Sequence, residues 1–323
     1  MTQAGGTAGM IGWSVVVGIV LLLATLVGYA ALATRRIQAQ VPPQGQYLTV
    51  DGARLHYVDR GQGPAIVLVH GLSGQLGNFA YALIDHLATN HRVIALDRPG
   101  SGYSRSHGGA PMELAAQARL IAAFIDRLAL ERPVLVGHSL GGALALVLAQ
   151  DHPARVGSLA LIAPLAFDDV RTTPLLHWVL RRSLAVRRVI GWTLATPLGQ
   201  LGSAANLSAI FAPEPAPADF GVRGGGLLAL RPANVVAASV DIVSAIRELG
   251  ARSPRYDALA MPVAILFGRG DRVLSPRGHG ERLAQAIGHA QLTVIEGGHM
   301  LPVTRPAAVA QWLGEWVAAH PPQ

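Results

Sequence analysis

The chain contains a serine in a setting that is typical of a nucleophile, the short run Gly137-His138-Ser139-Leu140-Gly141. An apolar segment precedes the run, and small and apolar residues at helical spacing follow it, which predicts a strand, a very tight turn and a helix. Glycine at the two flanking positions removes side chains that would collide in such a turn. The helix N-terminus beside the serine favours developing negative charge. The pattern therefore predicts that Ser139 is a nucleophile, and the alternative is a buried turn serine.

An acid and an imidazole follow two later predicted strands. Asp271 comes after the buried strand Val263–Phe267, and His299 comes after the strand Leu292–Ile295. The carboxyl ends of parallel strands meet at one edge of a sheet, so both side chains are expected at the edge that carries Ser139. There an imidazole can accept the serine proton, and a carboxylate can fix the tautomer of the imidazole. The three residues therefore predict a catalytic triad in the chain order serine, aspartate, histidine.

Each member of this triad has an alternative interpretation. Asp271 could instead pair with a neighbouring arginine, in which case Asp241 or Glu296 would be the acid that orients the base. His299 could be a surface histidine in a loop. His138, beside the serine, is expected to pack or to form a hydrogen bond rather than to act as a second base. The sequence favours the triad because all three side chains follow strands that belong to one sheet.

Strand and helix patterns alternate along most of the chain. Short apolar or alternating runs predict strands at Tyr47–Val50, Leu55–Val58, Ala65–Val69, Val93–Leu96, Arg132–Val136, Leu159–Ile162, Val263–Phe267 and Leu292–Ile295. Helical spacing predicts further helices near Asn78–Thr89, Met112–Leu130, Gly280–Ile287 and Pro306–Ala318. The alternation favours right-handed βαβ units and a mostly parallel sheet, and an opening hairpin at Asp51-Gly52 makes the sheet mixed.

In the middle of the chain the strand pattern gives way to a helical, proline-punctuated and basic segment. Its joints at Pro213–Pro217 and Gly224–Gly226 are suited to a movable lid. The predicted organisation is an N-terminal anchor and linker at 1–40, the first half of a core at 41–165, a helical cap at 166–255 and the second half of the core at 256–323.

Five short motifs occur in order along these elements: His70-Gly71; Asp97-Arg98-Pro99-Gly100 with Gly102 and Ser104; Gly137 to Gly142; Gly268 with Asp271; and Gly298-His299. Through these motifs the chain from about Tyr47 to Ala319 resembles the α/β-hydrolase fold superfamily, in particular its helical-capped esterase and lipase-like branch. The resemblance implies an α/β fold with a mostly parallel eight-stranded sheet, helices on both faces and a helical cap. It also implies an oxyanion hole made by the backbone N–H groups of Leu72 and Leu140.

The other residues of these motifs have simpler expected roles. His70 should order the oxyanion loop by hydrogen bonding, and Gly71 is a turn glycine. Asp97 and Arg98 are expected to form a structural turn or an ion pair. The dehalogenases and epoxide hydrolases of the superfamily carry an aspartate at the position of Ser139, so those two reactions are not expected here.

Residues 10–33 form an almost unbroken apolar run without a charge, longer than the ~20 residues that span a bilayer core as a helix. Trp13 and Tyr29 lie near its ends, where amphipathic rings favour the membrane interface. A cleaved signal peptide is the alternative, because Ala31-Leu32-Ala33 resembles a cleavage site. The length of the run and the lack of Lys or Arg before it favour an uncleaved, single-pass membrane anchor.

Arg35 and Arg36 follow the apolar run, and the positive-inside tendency would keep the bulk of the chain cytoplasmic. Two arginines are a small basis for this orientation, so the side of the membrane stays open. Residues 38–46, with Pro42 and Pro43, are expected to form a short extended linker between the anchor and the core.

Composition excludes several classes of function. The 323 residues are 51% hydrophobic and 14% charged, which is enough apolar material for a large core. The net charge is +7, but all 26 basic residues are arginines spread along the chain without a basic, aromatic-rich run, so nucleic-acid binding is not expected. No cysteine is present for disulfides. Neither metal-ligand spacing nor a glycine-rich dinucleotide motif occurs, so neither a metal nor a cofactor is expected.

Five arginines stand among apolar residues of the predicted cap: Arg171, Arg181, Arg182, Arg187 and Arg188. One interpretation is a basic amphipathic surface that rests on anionic lipid headgroups. The other is a solvated cap helix whose arginines reach outward into water. The sequence leaves both interpretations open.

The sequence therefore predicts a membrane-anchored serine hydrolase that cleaves apolar carboxylic esters through an acyl-enzyme, with acyl lipids among the candidate substrates. The predicted cap favours such substrates because it is rich in Leu, Val and Ala and poor in acids. Hydrolysis of C–C bonds and perhydrolase activity are the alternatives that use the same triad. The alternative of another class is a membrane-tethered binding protein without turnover. No oligomeric state is predicted.

Overall fold

The computed structural model describes residues 4–170 and 173–321, and an eight-stranded sheet lies at its centre. The strands are β1 (Gln46–Val50), β2 (Ala53–Arg60), β3 (Ala65–Val69), β4 (Arg92–Leu96), β5 (Val134–His138), β6 (Ser158–Ile162), β7 (Val263–Gly268) and β8 (Gln291–Ile295). Their order across the sheet is β1-β2-β4-β3-β5-β6-β7-β8. Each strand lies where the sequence pattern predicted one.

Of these eight strands, β2 runs antiparallel to both of its neighbours, which makes the sheet mixed, as the hairpin at Asp51-Gly52 predicted. Strands β3 to β8 pair in parallel. The carboxyl ends of β5, β7 and β8 therefore open on the same edge of the sheet, where the loops that follow them can meet. The prediction of an α/β fold with a mostly parallel eight-stranded sheet is confirmed.

Helices precede the sheet, cover both of its faces and fill the segment between β6 and β7. In chain order they are α1 (Ala4–Gln40), α2 (Gly77–Ala80), α3 (Leu83–Leu87), α4 (Leu114–Arg127), α5 (Leu140–Asp151), α6 (Pro174–Leu180), α7 (Leu184–Ile190), α8 (Thr196–Leu201), α9 (Ser203–Phe211), α10 (Pro232–Arg252), α11 (Arg282–Ile287), α12 (Leu301–Thr304) and α13 (Pro306–Ala319). Short 3₁₀ or π turns occur at His107–Gly109, Pro153–Arg155, Gly191–Ala195, Gly226–Leu230, Ser253–Ala258 and Pro276–Glu281.

The side chains of the sheet alternate between two buried layers. In β3, Val67 faces the layer that packs on α4 and α5, whereas Leu68 faces the layer that packs on α3 and α13. Because a parallel sheet is covered on both faces, its strands are apolar throughout rather than at every second residue. The two apolar layers fix the strand register, and with it the positions of the loops at the carboxyl edge.

The segment between β6 and β7 forms a helical cap with an inner and an outer part. The inner helix, α10, buries Asp241, Ser244 and Leu249 and packs against α4 and α5. The outer helices α6 to α9 leave large apolar side chains exposed, among them Trp178 and Leu201. The predicted helical insertion is present, and the domain boundaries at 165/166 and 255/256 stay predictions.

Helix α1 is longer than the sequence predicted. Residues 38–40 are helical, so only residues 41–45 connect α1 to β1, and the expected extended linker at 38–46 is wrong over its first part. The reason is packing. Ile37 and Val41 are buried against Leu228 of the cap, and these contacts hold the last turn of the helix.

The predicted helix at 78–89 is divided into α2 and α3. The break lies at Tyr81 and Ala82, and Ala82 has φ −157°, which is not helical. Tyr81 turns toward the cap at this point, and its hydroxyl donates to Asp219 at 2.7 Å. A contact with a distant segment thus accompanies the interruption of a locally helical pattern.

Within the described residues, one stretch of α1, Trp13–Gln40, is long and apolar enough to cross a membrane, with mean hydropathy 2.6. Its earlier side chains are exposed. Its later residues Ala30, Ala33 and Ile37 are buried, and the Tyr29 hydroxyl donates to the side chain of Gln200 in α8. From Trp13 onward, the helix therefore has an exposed, predominantly apolar part at residues 13–25 and a later part that packs on the cap.

Candidate active site

Ser139 lies at the turn between β5 and α5 with a strained backbone. Its φ is 55° and its ψ is −122°, a region that costs a non-glycine residue about 1–3 kcal/mol. Three hydrogen bonds hold this geometry: the Ser139 N–H donates to the Ile162 carbonyl at 3.0 Å, and the Ser139 carbonyl accepts from the N–H groups of Gly142 and Leu165. The side chain is only half-buried, so the turn presents it at the sheet edge.

The glycines around the serine are required by close approach of the backbone. A Cβ atom at Gly137 would lie 2.4 Å from the carbonyl oxygen of Gly141, and one at Gly141 would lie 2.1 Å from that of Val69. A Cβ atom at Gly71 would lie 2.9 Å from the Cβ atom of Ser139. Larger residues at these positions would displace the turn, and the Gly71 contact places the loop after β3 directly beside the serine.

His299 and Asp271 are brought together in the loops after β8 and β7. The Nδ1 atom of His299 lies 2.8 Å from Oδ2 of Asp271, and both side chains are buried. The other carboxylate oxygen accepts from the N–H groups of Val273 and Leu274 at 2.8 and 2.9 Å. With both of its oxygens engaged, the carboxylate is fixed in place and directs the Nδ1–H tautomer of His299.

His138 ties the histidine loop to the serine turn. Its Nε2–H donates to the backbone carbonyl of His299 at 3.0 Å, and the two rings lie 5.0 Å apart. Burial, together with nearby His299, lowers the pKa of His138 to about 3. The side chain is therefore neutral at ordinary pH and acts as a hydrogen-bond donor to the backbone, which agrees with the packing role expected for it.

The loop after β3 carries Leu72, and Leu140 is the first residue of α5. Amides in the first turn of a helix have no acceptor within that helix, so the Leu140 N–H is available to a charged oxygen. His70 orders the loop from both ring nitrogens: Nδ1–H donates to the Gly71 carbonyl at 2.9 Å, and Nε2 accepts from the Arg98 N–H at 2.9 Å. Burial lowers the pKa of His70 to about 3, which keeps this tautomer neutral.

The two alternative acids lie elsewhere. Asp241 is buried and accepts from the Arg98 guanidinium at 2.9 Å. Glu296 is exposed and pairs with Arg269 at 2.7 Å. The carboxylate that the structure places on His299 is that of Asp271.

Several polar contacts between these loops and the cap were not predicted from the sequence. Glu214 accepts from the N–H of Gly298, the residue before His299, at 2.9 Å. Gln75 and Asn78 both donate to the carbonyl of Gly224, at 3.0 and 2.9 Å. None of these residues belongs to a motif, and nothing in the local sequence indicates partners that are more than 80 residues away.

The arrangement has the parts needed to activate a hydroxyl. A buried carboxylate orients an imidazole, the imidazole loop is tied to a strained serine turn, and a helix N-terminus lies beside the serine. Among the residues that the structure describes, no group of three or more His, Asp or Glu side chains could hold a metal ion. Nucleophilic catalysis by serine is the chemistry that these groups can perform.

Comparison with known proteins agrees with this architecture. A profile of the alpha/beta hydrolase fold family matches residues 64–206. The dihydrolipoyllysine-residue acetyltransferase component of an acetoin cleaving system from Cupriavidus necator is 44% identical over 125 residues, which are 38% of this chain and 33% of that protein. Haloalkane dehalogenase 2 from Mycobacterium tuberculosis is 31% identical over 161 residues, 46% of this chain and 56% of that protein. The matches thus span from a third to just over half of these relatives.

Among solved structures, a membrane phospholipase A described as a bacterial virulence factor superposes with a TM-score of 0.66. The alignment covers 98% of this chain and 99% of that one at 24% identity. At this identity the likeness extends to the fold alone.

Proposed function

This chain belongs to the α/β-hydrolase fold superfamily, and from that premise we propose that it is a serine hydrolase that cleaves apolar carboxylic esters. The observation that carries the proposal is the His299–Asp271 pair at 2.8 Å, whose loop is tied through His138 to the strained turn at Ser139. A carboxylate-oriented imidazole whose loop is tied to the turn of a half-buried serine is the arrangement that makes a weak hydroxyl nucleophile reactive.

The proposed reaction has two halves. The Ser139 hydroxyl attacks the ester carbonyl while His299 takes its proton, and the resulting oxyanion accepts hydrogen bonds from the Leu72 and Leu140 amides. The intermediate collapses, His299 protonates the departing alcohol, and an acyl-enzyme remains. Water then attacks the acyl group with His299 as the base, and the carboxylic acid leaves with the Ser139 hydroxyl restored. Asp271 stabilises the imidazolium in both halves.

The relative named as a haloalkane dehalogenase does not extend that activity to this chain. Displacement of a halide by Ser139 would join an alkyl group to the serine oxygen as an ether, which water does not readily cleave. An ester of a carboxylate nucleophile, in contrast, offers a carbonyl to water. Serine at this turn therefore supports acyl transfer over dehalogenation.

We propose a membrane anchor as part of the same function. Residues 13–25 of α1 are predominantly apolar and exposed, and the later part of the helix packs on the cap. The outer part of the cap, which contacts α1 through α8 and the turn Gly191–Ala195, exposes large apolar side chains. They are Leu175, Trp178, Val189, Trp192, Leu198 and Leu201. A surface that continues from a membrane helix onto exposed leucines and tryptophans suits contact with lipid, and this contact supports apolar, membrane-dissolved substrates.

Three of the cap arginines fit this contact. Arg181, Arg182 and Arg188 are exposed beside the apolar residues, where they can meet anionic headgroups. Arg187 does not belong with them, because its guanidinium donates to the carbonyl and hydroxyl of Ser239. Arg171 lies outside the described residues.

Labelling with a fluorophosphonate probe tests the hydrolase proposal. Wild-type protein should be labelled at Ser139, and Ser139→Ala should lose both the label and ester turnover while it remains folded. An ester series of increasing chain length, run beside a vinylogous 1,5-diketone, then separates ester cleavage from C–C hydrolysis. A folded wild-type protein that takes no label would exclude the hydrolase and favour a membrane-tethered binding protein.

The membrane contact has its own test. Charge reversal of Arg181, Arg182 and Arg188 to Glu should lower turnover of a long-chain ester in anionic vesicles by roughly tenfold, because each arginine near the headgroups contributes about 1 kcal/mol before screening. Turnover of a short soluble ester should not change. Reversal of three exposed arginines of the core, Arg119, Arg127 and Arg277, is the matched control. Equal losses of vesicle turnover in the cap variant and the core variant would exclude a specific contact of the cap.

The mass of the mature protein tests the anchor separately, because it would reveal cleavage after Ala33.

A further inference from the structure

A fully buried arginine holds the loop that carries Leu72. The Nε atom of Arg98 donates to the His70 carbonyl at 3.0 Å, and its Nη2 atom donates to the Gly71 carbonyl at 3.1 Å. The side chain has no exposed surface. A buried guanidinium is stable only where acceptors satisfy it, and two of its acceptors are consecutive carbonyls of this loop.

The Gly71 carbonyl accepts three hydrogen bonds, from Arg98 Nη2, from His70 Nδ1 and from the Gly74 N–H. This carbonyl belongs to the peptide group whose N–H is that of Leu72. In a trans peptide the C=O and N–H bonds point in opposite directions. Donors that fix the carbonyl on one side therefore fix the direction of the Leu72 N–H on the other. They also polarise the peptide group, which strengthens its N–H as a donor.

The loop also lies directly beside the nucleophile. A Cβ atom built on Gly71 would lie 2.9 Å from the Cβ atom and 3.4 Å from the hydroxyl oxygen of Ser139. Arg98 itself is fully buried. The guanidinium thus acts on the Leu72 amide without touching a substrate.

Arg98 is itself oriented by the cap and by α4. Its Nη2 atom also donates to Asp241 Oδ2 at 2.9 Å, and its Nη1 atom donates to Gln117 Oε1 at 3.0 Å. Gln117 in turn donates to the other carboxylate oxygen of Asp241 at 2.7 Å. Asp241 lies on the inner cap helix α10, so a cap residue fixes the guanidinium that holds the loop.

We infer that Arg98 is a positioning residue for the oxyanion amide of Leu72, and that Asp241 of the cap holds Arg98 in its working orientation. The inference rests on the proposed serine hydrolase activity. It assigns a role in turnover to Arg98, for which the sequence predicted only a structural turn or an ion pair with Asp97. A buried ion pair is on average no more stabilising than well-packed apolar residues, so stability alone does not account for it.

The test measures turnover per active site, counted by complete titration with a fluorophosphonate. Arg98→Lys keeps the charge but cannot reach all four acceptors, and it should lower kcat on a soluble ester by about 10²-fold with KM within about threefold. Asp241→Asn should lower kcat by about tenfold through the same amide. The affinity for a boronic acid, whose serine adduct is an anionic tetrahedron, should fall in parallel with kcat.

His56→Gln is the matched control, because it disturbs another buried pair that does not hold the Gly71 carbonyl. Its kcat per titrated site should stay within about threefold of wild type. If Arg98→Lys yields no titratable protein, Gln117→Met is the second variant. It removes the Nη1 contact and the hydrogen bonds from Gln117 to Asp241 and Met112, but it leaves Arg98 and both of its loop carbonyls in place. It should lower kcat by about fivefold.

Unchanged kcat per titrated site, with only fewer sites or a raised KM, would overturn the inference and leave Arg98 a structural residue. A loss of kcat without a matching loss of boronic acid affinity would overturn it as well. Failure of the proposed function has a different signature, since wild-type protein would then take no fluorophosphonate label at Ser139.

Discussion

Two histidine–aspartate pairs of nearly the same geometry are buried in the core. His56 Nδ1 lies 2.7 Å from Asp97 Oδ2, and His299 Nδ1 lies 2.8 Å from Asp271 Oδ2. Each carboxylate also accepts two backbone N–H groups, those of Leu76 and Tyr103 at Asp97 and those of Val273 and Leu274 at Asp271. By pair geometry alone, either histidine qualifies as an oriented base.

The pairs differ in what surrounds the imidazole. His56 lies on the antiparallel strand β2 between the rings of Tyr47 and Tyr103, at 5.0 and 5.6 Å. Its Nε2 atom is buried and has no hydrogen-bond partner within the described part of the chain. The loop of His299, in contrast, is tied to the residue before Ser139. A carboxylate can therefore orient an imidazole in a purely structural pair as well as in a catalytic one. Whether the pair can catalyse a reaction depends on whether the other ring nitrogen, Nε2, can exchange a proton with a reacting group.

The same substitution in both pairs should give the largest difference. His299→Gln is expected to lower kcat/KM for an ester on the order of 10⁵-fold, because no other group can take the serine proton. His56→Gln should leave turnover per titrated site within about threefold. Steady-state kinetics of both purified variants on one soluble ester make the comparison, and a loss of similar size in His56→Gln would mean that both pairs serve catalysis.

The acid of the catalytic pair should give the next largest effect. Asp271→Asn is expected to lower kcat by about 10³- to 10⁴-fold, because an amide no longer fixes the imidazole tautomer or stabilises its cation. Glu296→Gln, which changes the exposed alternative acid, should have almost no effect. The pH–rate profiles of both variants provide the check, and damage by Glu296→Gln instead would reassign the acid.

Two buried histidines that bond to backbone groups instead of a carboxylate, His70 and His138, should make the fold sensitive to acid. Burial lowers the pKa values of His70 and His138 from 6.5 to about 3. As pH falls below about 6.5, the unfolded chain binds protons that the folded chain does not, so stability is complete above this pH and is lost toward pH 3. At pH 5 each histidine should cost about 2 kcal/mol of the free energy of unfolding.

Unfolding by urea of the full chain in mild detergent at pH 7, 6 and 5 measures this loss. His138→Gln places an amide donor where the imidazole Nε2–H donates to the His299 carbonyl, but it does not titrate. The decline between pH 7 and pH 5 should therefore be smaller by about 2 kcal/mol. The same decline in wild type and variant would show that His138 does not contribute to the acid sensitivity.

The structural pair should show the smallest effect, and only in stability. His56→Gln removes a buried hydrogen bond to a carboxylate that keeps its two backbone donors, and it should lower the free energy of unfolding by about 1–2 kcal/mol. The same urea experiment at pH 7 measures it. A stability equal to wild type would mean that the glutamine amide replaces the imidazole fully.

Much of this molecule could be predicted from its sequence. An apolar run of strand length, such as Ala65–Val69, predicts a buried strand, and the helical spacing after Ser139 predicts a helix. Both patterns are local, because they follow from the repeat of the backbone in each element. The glycines at 137 and 141 predict a turn where two backbone segments approach closely. In the structure, a Cβ atom at these positions would lie only 2.4 and 2.1 Å from a backbone carbonyl oxygen. Parallel strands then bring the loops of Asp271 and His299 to one edge, because strand direction alone determines where their carboxyl ends lie.

Long-range partners were decided only by the tertiary structure. Arg98 pairs with Asp241, 143 residues away, and His56 pairs with Asp97. Residues 38–40 continue α1 because Ile37 and Val41 pack on Leu228. The spacing of apolar residues along the chain determines helices and strands because their backbone hydrogen bonds follow regular patterns. A buried charge, in contrast, can pair with any of many polar groups, and an apolar side chain can pack against any of many others. Which partner it meets is settled only when the cap, the sheet and α1 pack together.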